Sequence, residues 1–330
     1  MRAAVIHGPE QLRLEERPVP EPGPGELVIR TLVASICNAT DVHIWEGRLG
    51  EELRPPFPHV LGHERAGRVV AVGDGVQGFA PGDRVACWAK MDGAFGDYDV
   101  LRPWQYPTVR LSKGISDDAA SLMEVVAATM RGIHAAGVRP GDRVIVLGQG
   151  AQGIVLAQQA RLLGAATVVG VDPLPFRLER ARRVAVDAAL DPTALTQRQV
   201  ADELCALLGG EADLVVDALG GAGLWEGGNV RDAALEALRW AGRYLVYGLP
   251  PDDVPLNIRL VAMKGIGLKG IDTPPHEVPR LMALGERWVA DGRMALEELV
   301  THRVPLERVA DGLELCRSRP GEVLKVMVDL

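Results

Sequence analysis

Residues 58–73 read Pro-His-Val-Leu-Gly-His-Glu-Arg-Ala-Gly-Arg-Val-Val-Ala-Val-Gly, setting His63 and Glu64 side by side between Gly62, Gly67 and Gly73. Upstream by 26 positions, Cys37 stands in Ser-Ile-Cys-Asn-Ala-Thr-Asp-Val-His. A thiolate, an imidazole and a carboxylate form a borderline-soft donor set that suits Zn²⁺. Three protein ligands leave a fourth position open, as a catalytic metal requires. A second informative stretch begins 85 residues after His63. Gly148-Gln149-Gly150-Ala151-Gln152-Gly153 follows the apolar run Val144-Ile145-Val146-Leu147 and opens an Ala/Leu/Gln-rich segment that closes at Gly164.

Glycines at that spacing, between a buried strand and a helix, predict a dinucleotide turn. The first, Gly148, permits the tight turn; Gly150 lets the backbone approach a pyrophosphate; Gly153 lets helix pack on strand. The helix N-terminus then offers its amides to the phosphates. The motif alone is weak, and its context strengthens it. Strand 167–171 ends in Asp172, 22 residues beyond Gly150, where a carboxylate accepts hydrogen bonds from the adenosine ribose. A carboxylate there repels a 2′-phosphate, so NAD is expected over NADP. Arg177, five residues on, is a further ribose contact candidate.

From Gly141 onward buried strands alternate with helices: strands 144–147, 167–171, 214–217, 244–247 and 266–269, and helices 151–164, 176–185, 197–208 and 232–241. This alternation predicts an α/β fold with an open, doubly wound parallel sheet. Residues 1–120 instead hold short strands punctuated by Gly and Pro, which suggests a β-rich, barrel-like domain. A helical stretch over 117–137 separates the two textures. The last 60 residues return to strand-plus-helix and are expected to complete the first domain.

The chain has 330 residues, enough for two domains, with 47% hydrophobic and 24% charged residues. Its net charge of −8 and the lack of a Lys/Arg cluster argue against a nucleic-acid partner. No run of 18 apolar residues predicts a membrane span. The opening Met1–Ile6 reads as a strand rather than a signal peptide, and the four cysteines are scattered, so a cytoplasmic setting is expected.

Taken together, these motifs resemble the zinc-containing alcohol and polyol dehydrogenases of the medium-chain dehydrogenase/reductase superfamily. The resemblance extends through Pro22-Gly23-Pro24-Gly25-Glu26, Pro81-Gly82-Asp83-Arg84-Val85, Pro140-Gly141-Asp142-Arg143-Val144 and Gly242-Arg243-Tyr244-Leu245-Val246-Tyr247-Gly248. It implies a GroES-like catalytic domain over 1–124 and 271–330, a Rossmann NAD-binding domain over 125–270, and an active site in the cleft between them. By the same resemblance Cys37, His63 and Glu124 ligate the zinc, Glu124 standing in Glu-Val-Val-Ala where polyol and threonine dehydrogenase branches read Glu-Pro-Leu-Ala. Glu64 matches a carboxylate behind the metal that can approach it. Thr40 passes the substrate proton, Asp41 bonds a zinc-bound histidine, and His43 relays the proton to water. Asn38-Ala39 puts one more residue between Cys37 and Thr40 than most members have.

Many relatives carry four close cysteines for a structural zinc, whereas residues 85–115 hold only Cys87. One catalytic zinc per chain, and no structural zinc, is therefore expected. The implied reaction moves a hydride between an alcohol and NAD. A polyol, cyclitol or aminocyclitol is the favoured small-molecule substrate, and simple alcohols or L-threonine are the alternative. Residues 266–269 resemble the family's subunit-pairing edge, so a homodimer or homotetramer is expected.

Overall fold

A computed structural model describes residues 1–250 and 253–330. The chain begins with strands β1 (Arg2–Ile6), β2 (Leu12–Glu16) and β3 (Leu27–Ile36), then the short helix α1 (Thr40–Trp45). Next come β4 (His59–Val60), β5 (Glu64–Val72), β6 (Arg84–Cys87), β7 (Tyr98–Leu101), β8 (Thr108–Arg110), α2 (Asp117–Ser121) and α3 (Met123–Ala136). The alternating part holds β9 (Arg143–Leu147), α4 (Ala151–Leu162), β10 (Thr167–Val171), α5 (Pro175–Val184), β11 (Ala188–Leu190), α6 (Gln197–Leu208) and β12 (Ala212–Asp217). It continues with β13 (Leu224–Trp225), β14 (Gly228–Asn229), α7 (Val230–Ala237), β15 (Leu238–Val246), α8 (Ile258–Lys264) and β16 (Gly267–Lys269). The chain closes with α9 (Val278–Ala290), β17 (Val300–Pro305), α10 (Val309–Ser318) and β18 (Lys325–Asp329).

The chain divides into two compact units, Met1–Ala128 with His276–Leu330, and Thr129–Pro275. In the first, a sheet ordered β17-β18-β3-β5-β6-β8 carries the core, with β7 also paired to β3. Ile6, Ile36, Ile44, Leu61, Phe95, Leu306 and Leu313 fill one side of that core. All of the central strand β3 but Arg30 and Leu32 is buried, as in a strand covered on both faces.

The second unit is a parallel sheet ordered β11-β10-β9-β12-β15-β16. Numbered by sequence these strands run 3-2-1-4-5-6, so the order reverses between β9 and β12. Ligands of open α/β sheets bind in the crevice at the carboxyl ends of such a pair. Two boundaries depart from the sequence expectation. The helical stretch 117–137 breaks at Leu122 into α2 and α3. The helix expected over 232–241 runs Val230–Ala237 instead, and β15 starts at Leu238. There the Lys264 ammonium takes the carbonyls of Leu235, Glu236 and Leu238 at 3.2, 2.7 and 2.5 Å. A distant lysine thus satisfies the helix's terminal carbonyls and stops it.

Candidate active site

Three neighbouring strands assemble the candidate metal-binding residues. β3 pairs with β5 so that Ser35 faces Glu64, and β18 pairs with β3 so that Val326 faces Ile36. Cys37 leaves the end of β3, His63 precedes β5, and Lys325 begins β18. Gly62, just before the histidine, has φ +92°, and a Cβ there would sit 2.8 Å from the Phe95 ring. Only glycine accommodates both demands, so the glycine of the signature sets the direction from which His63 enters.

The Cys37, His63 and Glu64 side chains are all buried, and one ligand atom from each lies within 4.8 Å of the others. Asp41, in the first turn of α1, orients two of them. Its Oδ1 lies 2.8 Å from His63 Nδ1, and its Oδ2 accepts the Cys37 amide at 2.8 Å. With Nδ1 held by a carboxylate, Nε2 is the imidazole nitrogen left for a metal. Burial opposes a proton on His63, but the Asp41 carboxylate and the Cys37 thiol outweigh it and hold the ring well above its ordinary pKa.

Glu64 is fully buried and held by three hydrogen bonds from two residues. Lys325 Nζ donates to Oε1 and Oε2 at 2.5 and 2.6 Å, and Ser35 Oγ donates to Oε2. Lys325, 2% exposed, also reaches the Ile36 carbonyl at 3.3 Å. The sequence reading missed both Ser35 and Lys325. The available signal was a lone lysine inside the apolar run Val323-Leu324-Lys325-Val326-Met327-Val328.

Two glutamates approach Cys37 and His63. Glu124, read from sequence as the third ligand, lies outside the triplet, and Glu64 supplies its carboxylate. The reason is local: Glu64 shares the backbone of His63 and the β3–β5 register with Ser35, whereas Glu124 reaches the site from the first turn of α3. Burial, reinforced by the Glu64 and Asp41 charges, pushes the Glu124 carboxyl up to about 7 against the pull of His63 and Lys325.

Thr40 and His43 stand one turn apart on α1, and both are half-buried. Burial, with Arg48 nearby, pushes the His43 imidazole below its ordinary pKa against the pull of Glu46. The donor set present suits Zn²⁺: a thiolate, an imidazole fixed in one tautomer, and a carboxylate. Cys87 is buried in β6 and is not part of the triplet.

In the second unit the turn after β9 has the shape the glycines require. Gly148 has φ +84°, and a Cβ on Gly153 would fall 1.8 Å from the Gly148 carbonyl oxygen, so helix α4 can approach only through glycine. Gly150 caps α4 and faces open space, with Ala151 and Gln152 in the first turn. Gln149 is placed differently from its neighbours. Its side chain is fully buried, donates to the Val146 carbonyl at 2.8 Å and packs on Gly170. Its backbone amide donates to Asp172 Oδ2 at 2.8 Å. Asp172 also accepts the Leu174 amide at 2.9 Å, and Arg177 Nη1 stands 3.5 Å from its carboxylate.

Residues 23–109 match the alcohol dehydrogenase GroES-like domain, and residues 151–287 match the zinc-binding dehydrogenase domain. The chain is 31% identical to the sorbitol dehydrogenase of Gallus gallus, covering 99% of this chain and 95% of that protein. It is 30% identical to the sorbitol dehydrogenase of Bacillus subtilis, over 99% and 97% of the two chains. In fold it superposes on galactitol-1-phosphate dehydrogenase from Escherichia coli with a TM-score of 0.86, at 20% identity and with all of both chains covered. Whole-length likeness, both domain matches and a buried Cys-His-Glu triplet lead to one conclusion: the chain belongs to the zinc-containing alcohol and polyol dehydrogenases of the medium-chain dehydrogenase/reductase superfamily.

Proposed function

We propose that this enzyme oxidises a secondary hydroxyl of a polyhydroxylated substrate, a sugar alcohol, cyclitol or aminocyclitol, with NAD⁺ as hydride acceptor. The observation that carries the reading is the buried Cys37–His63–Glu64 triplet in a chain about 30% identical, end to end, to two sorbitol dehydrogenases. Zn²⁺ held there supplies Lewis acidity, lowering the pKa of an alcohol hydroxyl and polarising a carbonyl in the reverse direction.

The protein's own residues do the rest. Cys37, His63 and Glu64 hold the metal, with Glu124 a second carboxylate beside them. Asp41 fixes the imidazole tautomer, and Lys325 with Ser35 fixes the Glu64 carboxylate. Thr40 Oγ1 takes the substrate hydroxyl proton as its own hydroxyl proton moves to His43, which passes one on to water. Burial keeps His43 neutral and able to accept that proton near neutral pH.

Gly148, Gly150 and Gly153 shape the pyrophosphate turn, to which Gln152 contributes from the first turn of α4. Gln149 acts by anchoring the turn through its buried side chain and its amide. Asp172, with Arg177 beside it, receives the adenosine ribose and disfavours a 2′-phosphate. The metal residues fall in the unit built from both chain ends, and the dinucleotide residues in the central unit. We therefore assign catalysis to 1–124 with 271–330, and NAD binding to 125–270.

None of the four cysteines is disulfide-bonded, and no helix among the described residues is long and apolar enough to cross a membrane. The cysteine usage supports a reducing, cytoplasmic setting. Among the described residues, strand β16 ends the parallel sheet with an unpaired edge that exposes Leu268, which supports pairing of copies into a homodimer or homotetramer. The test follows NADH absorbance with the zinc-loaded enzyme across polyols, cyclitols, aminocyclitols, threonine and simple alcohols. Turnover confined to simple alcohols or threonine overturns the polyol assignment.

A further inference from the structure

The crevice between the ends of β9 and β12 has two lips. One is the Gly148–Gly150 turn. The other is the run Ala218-Leu219-Gly220-Gly221-Ala222-Gly223 that leaves β12. The lips touch: a Cβ on Gly148 would lie 3.1 Å from the Ala218 carbonyl oxygen, and the Ala218 amide donates to the Leu147 carbonyl at 2.9 Å. Gly220, Gly221 and Ala222 are exposed, and added Cβ atoms on the two glycines would meet open space. A loop so poor in side chains has no packing of its own to hold it in one conformation.

It is held from beneath by one guanidinium. Arg231, in the first turn of α7, is 3% exposed. Its Nη1 donates to the Ala222 carbonyl at 2.5 Å, and its Nη2 donates to the Gly221 carbonyl at 3.0 Å. Its Nε donates to Asp217 Oδ2 at 2.6 Å. The same carboxylate accepts the Tyr244 hydroxyl at 3.1 Å, and its other oxygen accepts the Leu219 amide at 3.1 Å. Arg231 and Asp217 thus grip the loop at both ends. The backbone amides from Gly220 to Gly223 have no acceptor among the described residues. A buried ion pair is weak evidence of stability in itself. This one spends its remaining donors on an exposed glycine loop, on the ligand side of the sheet.

We propose that Arg231 is a positioning residue for the dinucleotide: it holds the Gly220–Gly223 lip in the shape that receives the cofactor against the Gly148 turn. This rests on the NAD-dependent reading above and extends it to a residue outside the glycine fingerprint. Arg231→Lys is the test, because it keeps a cation against Asp217 while losing the planar fork that reaches both carbonyls. NADH binding is read by fluorescence titration, with steady-state kinetics and cofactor-free thermal unfolding in parallel.

Arg231→Lys is expected to weaken NADH binding and raise the KM for NAD⁺ by about tenfold, roughly one to two hydrogen bonds' worth. The kcat at saturating NAD⁺ and the midpoint of cofactor-free unfolding are expected to stay close to wild type. Arg231→Gln, which leaves Asp217 without a cation, is expected to lower the unfolding midpoint as well. Wild-type NADH affinity in Arg231→Lys overturns the proposal and leaves Arg231 only a counter-ion to Asp217. A kcat that falls in step with the unfolding midpoint, at unchanged KM, overturns it equally. Failure of the underlying reading is separable, since the wild-type protein itself would then not bind NADH.

Discussion

Replacing Lys325 with Met tests whether Glu64 is held as the structure shows. Methionine keeps the length of the buried stem and removes the ammonium. Both partners are essentially inaccessible, at 2% and 0% side-chain exposure, so water cannot replace the lost donors. Removing one member of a buried pair costs about 3–5 kcal/mol, because the surviving charge is left uncompensated. At about 2–4 °C per kcal/mol for domains of 150–250 residues, the unfolding midpoint of the metal-free protein is expected to fall by about 6–20 °C at pH 8. The deficit has two signatures that a packing defect lacks. It shrinks as the pH falls, because the stranded carboxyl takes up a proton and ceases to be a buried charge. It also shrinks on zinc loading, because the metal offers Glu64 the positive charge that Lys325 supplied. The assay is scanning calorimetry from pH 5 to pH 8, with and without a chelator, on Lys325→Met and on Lys325→Met/Glu64→Gln. The double variant is expected to recover most of the loss. A midpoint for Lys325→Met within about 1 °C of wild type at pH 8, metal-free, refutes the pairing.

Cys37→Ala and His63→Ala are each expected to abolish zinc retention and turnover together, read by metal analysis and NADH formation; full turnover in either removes zinc from the reaction. The emptied wild-type site holds protons on His63 and Glu124, whose pKa values are both raised. The stabilising contribution of the Glu124 proton is therefore fully present below pH 4.5 and lost as pH rises through about 7. Zinc bound to His63 displaces its proton, and the metal's charge beside Glu124 favours loss of that carboxyl's, so its affinity is expected to fall and its proton release to grow as the pH drops from 8 to 6. Titration calorimetry in buffers of different ionisation enthalpy measures that release, and pH-independent binding without it contradicts the assignment. Asp172→Asn is expected to raise the KM for NAD⁺ by about 10–100-fold, from the loss of a charge-assisted hydrogen bond, and to improve the relative use of NADP⁺. An unchanged cofactor preference argues against Asp172 as the ribose carboxylate.

What could be read in the chain depended on whether its cause was local. The Gly148–Gly153 turn was legible because a positive φ and a 1.8 Å conflict leave glycine alone able to fill two of its positions. Strands β9, β10 and β12 were legible because a strand buried on both faces must be apolar throughout. The end of α7 was not, since what stops it is an ammonium from Lys264, far along the chain. Nor was the Lys325–Glu64 pair, which strand register decides.

By itself the sequence determined the parallel sheet, the glycine turn and the presence of a Cys-His-Glu donor set, because period, backbone conformation and ligand chemistry are properties of residues near one another in the chain. Only the tertiary structure decided which carboxylate stands with Cys37 and His63, that Asp41 orients both, and that Lys325 neutralises Glu64. Those are matters of charge compensation in a buried space. β18 and β5 flank β3, and their register brings Lys325 and Glu64 together across 261 residues of sequence. No periodicity encodes that distance.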